Sequence, residues 1–422
     1  MKLRLILFFL SALIIFSCKT TRTLKQPTAS ASADSSGLLA QLLRQHPAYF
    51  EPYINDKERY KVQIIFTQID RRANNKPVFT DHFFNVNDAD YFYPASTVKM
   101  PVALFALEEI NKLRQSGVTR GSSMITEAAY SGQTPVYNDP ASPDGRPTVE
   151  HYIKKIFLVS DNDAFNRLYE FVGQEQINKR LQEMGYDDAA IVHRLSIPLS
   201  DDENRHTNPI KFYDDTARLL HTQSMRHNVK PYPARKDFLG RGYYSRGNLI
   251  MQPMDFSRKN KLTLSSLHLM LRGILFPDAM PKHQRFDVSD EDLRFVWKYM
   301  SMYPGESEFP LYKTDEYHDA YCKFLYWGFE KGSLPKNLRI FNKVGDAYGF
   351  LTDVAYVVDF DKNIEFMVSA TIYCNSDGIL NDDHYDYATV GFPFLKHLGR
   401  VLYEHELKRA KKREPELTGF KF

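Results

Sequence analysis

Ser96-Thr97-Val98-Lys99 places a hydroxyl and an amine three residues apart. On a helix, residues at i and i+3 share a face, so the Lys99 amine lies within reach of Ser96. An ammonium drawn into an apolar helix–sheet junction loses its charge near neutral pH, because burial penalises the charged form. The neutral amine can then take the serine proton and turn the oxygen into a nucleophile. The spacing occurs a second time in Ser333-Leu334-Pro335-Lys336, but that copy contains a proline and runs into Asn337 rather than an apolar helix, which marks it as a decoy. Two more polar strings follow the first copy. Ser160-Asp161-Asn162 falls between two predicted helices, and Lys343-Val344-Gly345 precedes a strand-like stretch.

Other chemistry has less support. The 13 histidines include no His-Glu-x-x-His string and the three cysteines no Cys-x-x-Cys, so no metal site is expected. Asp359-Phe360-Asp361-Lys362-Asn363 opens like a calcium loop, yet Ile364 stands where that turn needs glycine, and a hairpin is the expected structure. A serine–histidine triad would need His193 or His206, and nothing in the sequence marks either as a base.

The elements that must position these strings follow from periodicity. Lys61–Asp70 is a β-branched apolar run and reads as a buried strand; Val78–Tyr93, rich in Phe and Tyr, suggests one or two more. From Thr97 the spacing turns helical, with Val98, Phe105, Ile110 and Leu113 on one face and Glu108, Glu109 and Lys112 opposite. Helices are predicted from Thr148, after Asn162, and over Gln174–Met184. Asp353–Phe360 and Ile364–Tyr373 form a hairpin, and Tyr385–Lys408 a closing helix that ends in the basic run Lys408–Arg413, read as a solvated end. Strands first, helices next, then strands and a helix is not the rhythm of a parallel sheet. The expected fold is α+β: an antiparallel sheet formed from both chain ends with an inserted helical lobe. Residues 225–335, with one clear helix at Leu262–Leu275, read as an elaboration on this core, and residues 406–422 as a basic C-terminal tail.

In order and context, Ser96-x-x-Lys99, Ser160-Asp161-Asn162 and Lys343-Val344-Gly345 resemble the three motif boxes of the penicillin-recognising serine enzymes, class A β-lactamases in particular. Thr148-Val149-Glu150, Gly185, Arg194 and Thr207-Asn208-Pro209 follow the same family's middle region in order, and the likeness covers roughly residues 40–220 and 338–405. It implies a β-lactamase/DD-peptidase-like domain over residues 37–405, with residues 225–335 as an insertion, acting without metal or organic cofactor. It also implies that Ser96 is acylated, that Lys99 takes its proton, that Ser160 relays a proton to the leaving nitrogen, and that Lys343 holds Ser160. Asn162 would hold Lys99 and the substrate amide. Gly345 and Asp346 belong to the substrate edge, with the backbone N–H groups of Ser96 and Asp346 facing the oxyanion. The implied substrate is a β-lactam or another small-molecule or peptidoglycan-derived acyl compound.

The chain departs from that family where deacylation and carboxylate binding are concerned. Two residues after Arg194, where the family carries a glutamate that activates water, stands Ser196, with Asp201, Asp202 and Glu203 close behind. A lone hydroxyl is a poor general base. The third box has Val344 for a hydroxyl residue, then acidic Asp346, and no arginine up to Asp353. A serine hydrolase with an altered pocket is the first reading; a non-catalytic envelope-binding protein that keeps the fold is the second.

Residues 1–17 have a positive start, an apolar run from Leu5 to Phe16 and a small residue, as a secretory signal does. Ile15-Phe16-Ser17-Cys18 looks like a bacterial lipoprotein signal, with Cys18 lipidated after cleavage and residues 18–36 as a flexible tether; a soluble secreted protein is the alternative. The expected location is the bacterial cell envelope, lipid-anchored or periplasmic. Cys322 and Cys374 can pair in an oxidising compartment or remain two buried thiols. With 55 basic and 52 acidic residues, the chain has no field suited to nucleic acid, and none is expected as a partner.

Overall fold

The computed structural model describes residues 37–422; the expected signal at 1–17, Cys18 and the expected tether at 18–36 lie outside them. A five-stranded antiparallel sheet runs through the molecule. Its first two strands are β1 (Gln63–Arg71) and β2 (Pro77–Phe84), and the last three are β3 (Leu338–Ala347), β4 (Phe350–Asp359) and β5 (Ile364–Tyr373), in the order β3-β4-β5-β1-β2. Early and late segments meet where β1 pairs β5, with Phe66 opposite Val368. The α+β architecture is therefore the one expected. Val78–Tyr93 supplies a single strand, and its aromatic remainder folds against the core as loop.

Alternation along the strands builds two cores. On β4, Val354, Tyr356 and Val358 join one apolar cluster, while Ala355 and Val357 join the other. Because side chains on a strand point alternately to opposite faces, a strand buried at every position must be covered on both sides. One cover is α1 (Leu38–Gln45), α2 (Pro47–Asn55) and α10 (Phe392–Lys408), which bring Leu39, Phe50, Leu395 and Leu402 to the sheet. The other is a helical lobe of α3 (Lys99–Lys112), α4 (Val149–Val159), α5 (Asn162–Val172) and α6 (Gln174–Glu183). The helix α3 is buried nearly all round, as a helix in the centre of a lobe must be. Glu108, expected on an outward face, is buried too, its carboxylate held by Arg180 at 2.9 Å and by the Asp287 N–H at 2.9 Å.

The segment 225–335 is more than an ornament. Its helices α8 (Leu264–Leu275) and α9 (Asp290–Ser301), which follow the short α7 (Asp201–Arg205), put Leu267, Leu271, Ile274 and Val296 into the lobe-side core. His268 of α8 bridges Thr67 of β1 and Ser369 of β5 at 2.8 Å each. In the basic run Lys408, Lys412 and Arg413 are exposed, as a solvated end should be, whereas Arg409 and the residues beyond the run are docked. Arg409 pairs with Asp70 at 2.7 Å, and Phe420, 9% exposed, packs its ring against those of Trp297, Tyr356 and Phe276. Cys322 and Cys374 are both buried and unpaired, the second of the two expectations. Among the described residues no helix is long and apolar enough to cross a membrane.

Because the tail closes the core with an aromatic ring, Phe420→Ala should lower unfolding stability by about 3 kcal/mol, the usual loss for a large buried ring. Urea denaturation followed by circular dichroism checks this, and a solvated tail would give no change.

Candidate active site

Ser96 lies in a 3₁₀ turn, Ala95–Val98, that leads directly into α3. The predicted helix starting at Thr97 thus begins with a tighter turn, in which residues i and i+3 eclipse, so Ser96 and Lys99 still share a face. The turn is tied to the preceding loop by Thr97, whose hydroxyl donates to the Pro94 carbonyl at 2.6 Å. Strand β3 passes against it. A Cβ on Gly345 would lie 2.7 Å from the Pro94 carbonyl oxygen and 3.0 Å from the Ser96 nitrogen, so only glycine allows this approach.

The Lys99 amine is fully buried. It donates to the Ser160 carbonyl, to Ser160 Oγ at 3.2 Å and to Asn162 Oδ1 at 2.6 Å. From the other side Lys343 Nζ, also buried, donates to Ser160 Oγ at 2.7 Å and to its neighbour's carbonyl, Val344 O, at 2.9 Å. Burial, and then the proximity of Lys343, holds the Lys99 amine well below the ordinary lysine range. Burial likewise brings Lys343 down to about 8. Local sequence explains why Ser160 and Asn162 converge: Ser160 ends α4 in the left-handed conformation, φ 59°, and Asp161 caps α5 by accepting from the Ala164 N–H at 2.8 Å. The abrupt joint aims both flanking side chains at Lys99, and Asp161 itself stays a cap.

Above this floor opens a cleft of about 500 Å³, lined by Ser96, Asn162, Ser196 and Asp346 together with Tyr93, Tyr348, Tyr385 and Tyr387. Ser96 Oγ faces it with no hydrogen-bond partner among the described residues. Five cleft-lining residues, Ala95, Ser196, Tyr348, Asn381 and Asp383, have positive φ, as does Ser160 beneath them. Left-handed non-glycine residues are strained, and here they gather around one site. The Asp346 carboxylate is open to solvent yet ringed by protein; that crowding raises its proton affinity, while Lys343 and Lys99 pull it back down.

Ser196 Oγ accepts from Asn162 Nδ2 at 2.8 Å. Its loop is pinned by Arg194, which pairs with buried Glu170 at 2.8 Å and donates to the carbonyls of Glu203 and His206. None of the nearby acids takes the missing glutamate's place. Asp202 accepts from the Tyr130 hydroxyl at 2.5 Å, Glu203 takes part in the Ser200 capping box, and neither they nor Asp201 line the cleft.

The histidines stand apart from Ser96. His193 bonds the Arg194 carbonyl through Nδ1 at 2.6 Å, and burial holds it down at about 4. His206 is stacked between Tyr130 and His227 at ring distances of 3.7 and 3.8 Å. Asp202, His206 and His227 bring ligand atoms within 4.8 Å of one another. With the two imidazole planes only 11° apart, however, their lone pairs run parallel rather than converging on one ion. Asp359 accepts from the N–H groups of Asp361 and Lys362, an ordinary hairpin turn, and the decoy pair Ser333 and Lys336 is exposed before β3.

Sequence periodicity gave no sign of the polar core behind β3. Asn342, next to Lys343, donates to Asp353 Oδ1 at 2.8 Å and accepts from the buried Lys323 amine at 2.7 Å. Asp353 also accepts the N–H groups of Phe324 and Leu325. Burial raises Asp353 to about 6 and lowers Lys323 to about 8. These partners lie 11 to 29 residues apart, beyond any helix or strand period, which left no local signal.

An antiparallel sheet flanked by helices, with a serine–lysine pair at its junction with a helical lobe, is the arrangement of a β-lactamase-like serine hydrolase fold. Residues 50–229, which carry Ser96, Lys99, Ser160 and Asn162 but not Lys343, match the profile of the beta-lactamase enzyme family. Among solved structures, a β-lactamase from Xanthomonas campestris pv. campestris aligns at 14% identity over 86% of this chain and 97% of its own, with a TM-score of 0.43. PBP-A aligns at 14% identity over 87% and 96%, with a TM-score of 0.47. The β-lactamase of Streptomyces albus G aligns at 12% over 86% and 99%, with a TM-score of 0.42. No curated protein matches the chain.

Gly345→Ala should destabilise the fold by about 1–3 kcal/mol, the range for overpacking, by pushing β3 off the Ser96 turn. Thermal unfolding reads this, and an unchanged midpoint would mean that the close approach is not required.

Proposed function

We propose that the protein is a serine hydrolase that forms an acyl-enzyme on Ser96, acting on a β-lactam or peptidoglycan-related acyl substrate in the bacterial envelope, to which a lipid on Cys18 anchors it. The observation that carries this reading is the buried Lys99 amine bonded to Ser160 and Asn162, with Lys343 on the same serine, beneath a cleft that Ser96 lines. An uncharged Lys99 accepts the Ser96 proton as Oγ attacks the carbonyl; the Ser96 and Asp346 N–H groups are the donors for the oxyanion. Ser160, poised between two amines, returns a proton to the leaving group. The unpartnered Ser96 Oγ fits this scheme, since catalytic hydrogen bonds often tighten only with substrate bound. It fits equally a second reading, a binding protein that has kept the fold and lost turnover, which the lack of a carboxylate at Ser196 also favours.

Labelling with a fluorescent penicillin and a fluorophosphonate, followed by peptide mass spectrometry, separates the two. The hydrolase reading expects an adduct on Ser96 that Ser96→Ala abolishes; no adduct from either probe leaves the binding protein. The labelling rate should rise with pH as Lys99 loses its proton and fall again above about pH 8 as Lys343 loses its own. Faster labelling at pH 5 than at pH 7 would exclude the Lys99 role, and a rate undiminished above pH 8 the Lys343 role.

Without a base at Ser196, a penicilloyl adduct should persist, and Ser196→Glu should hasten its breakdown by about a hundredfold, the low end of what a placed general base contributes. Rapid nitrocefin turnover by the native protein, unaffected by Ser196→Ala, would contradict slow deacylation.

A further inference from the structure

The upper walls of the cleft have a charge that the buried lysines below do not predict. Two carboxylates, Asp346 and Asp383, face it together with the rings of Tyr93, Tyr348, Tyr385 and Tyr387, and no lysine or arginine is among the lining residues. Acids on the same loop as Asp383 are already engaged: Asp382 accepts from the His384 N–H at 3.1 Å, and Asp386 from the Ser376 N–H at 2.8 Å. The carboxylates of Asp346 and Asp383, in contrast, have neither a hydrogen bond nor an ion pair among the described residues. The two amines of the floor are spent on Ser160, Asn162 and Val344. Another cation, Lys259, rests against the Tyr348 and Phe256 rings, 5.4 and 5.9 Å from their centres.

Unpaired carboxylates repel an anionic substrate, and aromatic faces attract a cation through their quadrupoles, more strongly where water is partly excluded. Asp346 also follows directly on Gly345, whose Cα sits against the Ser96 turn, so its charge is close to the reacting oxygen. We propose that the cleft selects acyl substrates bearing an ammonium group, as in an acyl group derived from a basic amino acid, seated by Asp346 and Asp383 among the tyrosine rings. The proposal rests on the Ser96 reading above and adds to it the charge of the substrate.

Three alkyl fluorophosphonates of equal chain length, ending in ammonium, methyl or carboxylate, test it on the full chain. In each, Ser96 Oγ bonds to phosphorus, fluoride leaves with the P–F electron pair, and the serine proton passes to Lys99, so deacylation does not enter. The ammonium probe should label Ser96 about tenfold faster than the methyl probe, the effect of one desolvated cation–carboxylate contact, and the carboxylate probe should be slowest. Asp346→Asn and Asp383→Asn, shown by melting curves to be folded, should each lower the ammonium-to-methyl ratio, and 0.5 M NaCl should do the same. Equal rates for the three probes, a faster carboxylate probe, or a ratio unmoved in both variants would overturn the charge preference while leaving the Ser96 reading standing. No labelling by any probe, the methyl one included, would overturn the Ser96 reading and this one with it.

Discussion

A lysine amine in water keeps its proton far above neutral pH, and the chemistry open to this cleft depends on stopping Lys99 from doing so. Desolvation does it, and desolvation requires that α3 be enclosed on all sides and that β3 press against the turn preceding it. Gly345 permits that contact, and Lys343 adds a second positive charge that makes protonating Lys99 still less favourable. Burying two amines side by side would be prohibitive without acceptors. Ser160 serves both, through a backbone conformation that a serine adopts only under constraint.

Much of this could be read from the sequence. The runs in β1, β4 and β5 and the helical spacing of α3 to α6 gave the two-ended sheet and its lobe, because apolar alternation is a local property. The three polar strings gave Ser96, Lys99, Ser160, Asn162 and Lys343 as one candidate site. The structure assembles the last four by direct hydrogen bonds and places Ser96 in the cleft above them. Other features depend on contacts that no window of sequence contains. Glu108 reads as outward-facing by its position on α3, yet Arg180 and the Asp287 N–H bury it. Phe420 lies in a charged tail, and only the rings of Trp297, Tyr356 and Phe276 give it a place. The Lys323–Asn342–Asp353 core joins a loop to two strands through contacts 11 and 19 residues apart, and the cleft brings Tyr93 to the much later Tyr348, Tyr385 and Tyr387.

That second polar core bears on the rigidity of the site. Asn342 and Lys343 are neighbours on β3, so their side chains point to opposite faces of the strand, one into the Asp353 network and one toward Ser160. Asn342 is satisfied in both directions, by Asp353 and by Lys323, and the loop at 322–325 is bonded to the same carboxylate. Shifting β3 by one residue would strand several of these groups without partners in an apolar interior, where each orphan costs about 1–3 kcal/mol. Register is thereby fixed at the strand that presents Lys343, and the distance between the two amines with it.

The order of the strands has a consequence for how the molecule comes into being. β1 is synthesised before its partner β5, which ends at Tyr373, some 300 residues later. Until that stretch has left the ribosome, one edge of β1 has no neighbour, and the layer that α10 covers has no floor. The nascent polypeptide therefore has no closed sheet until β5 emerges, and until then that open edge is available for pairing elsewhere.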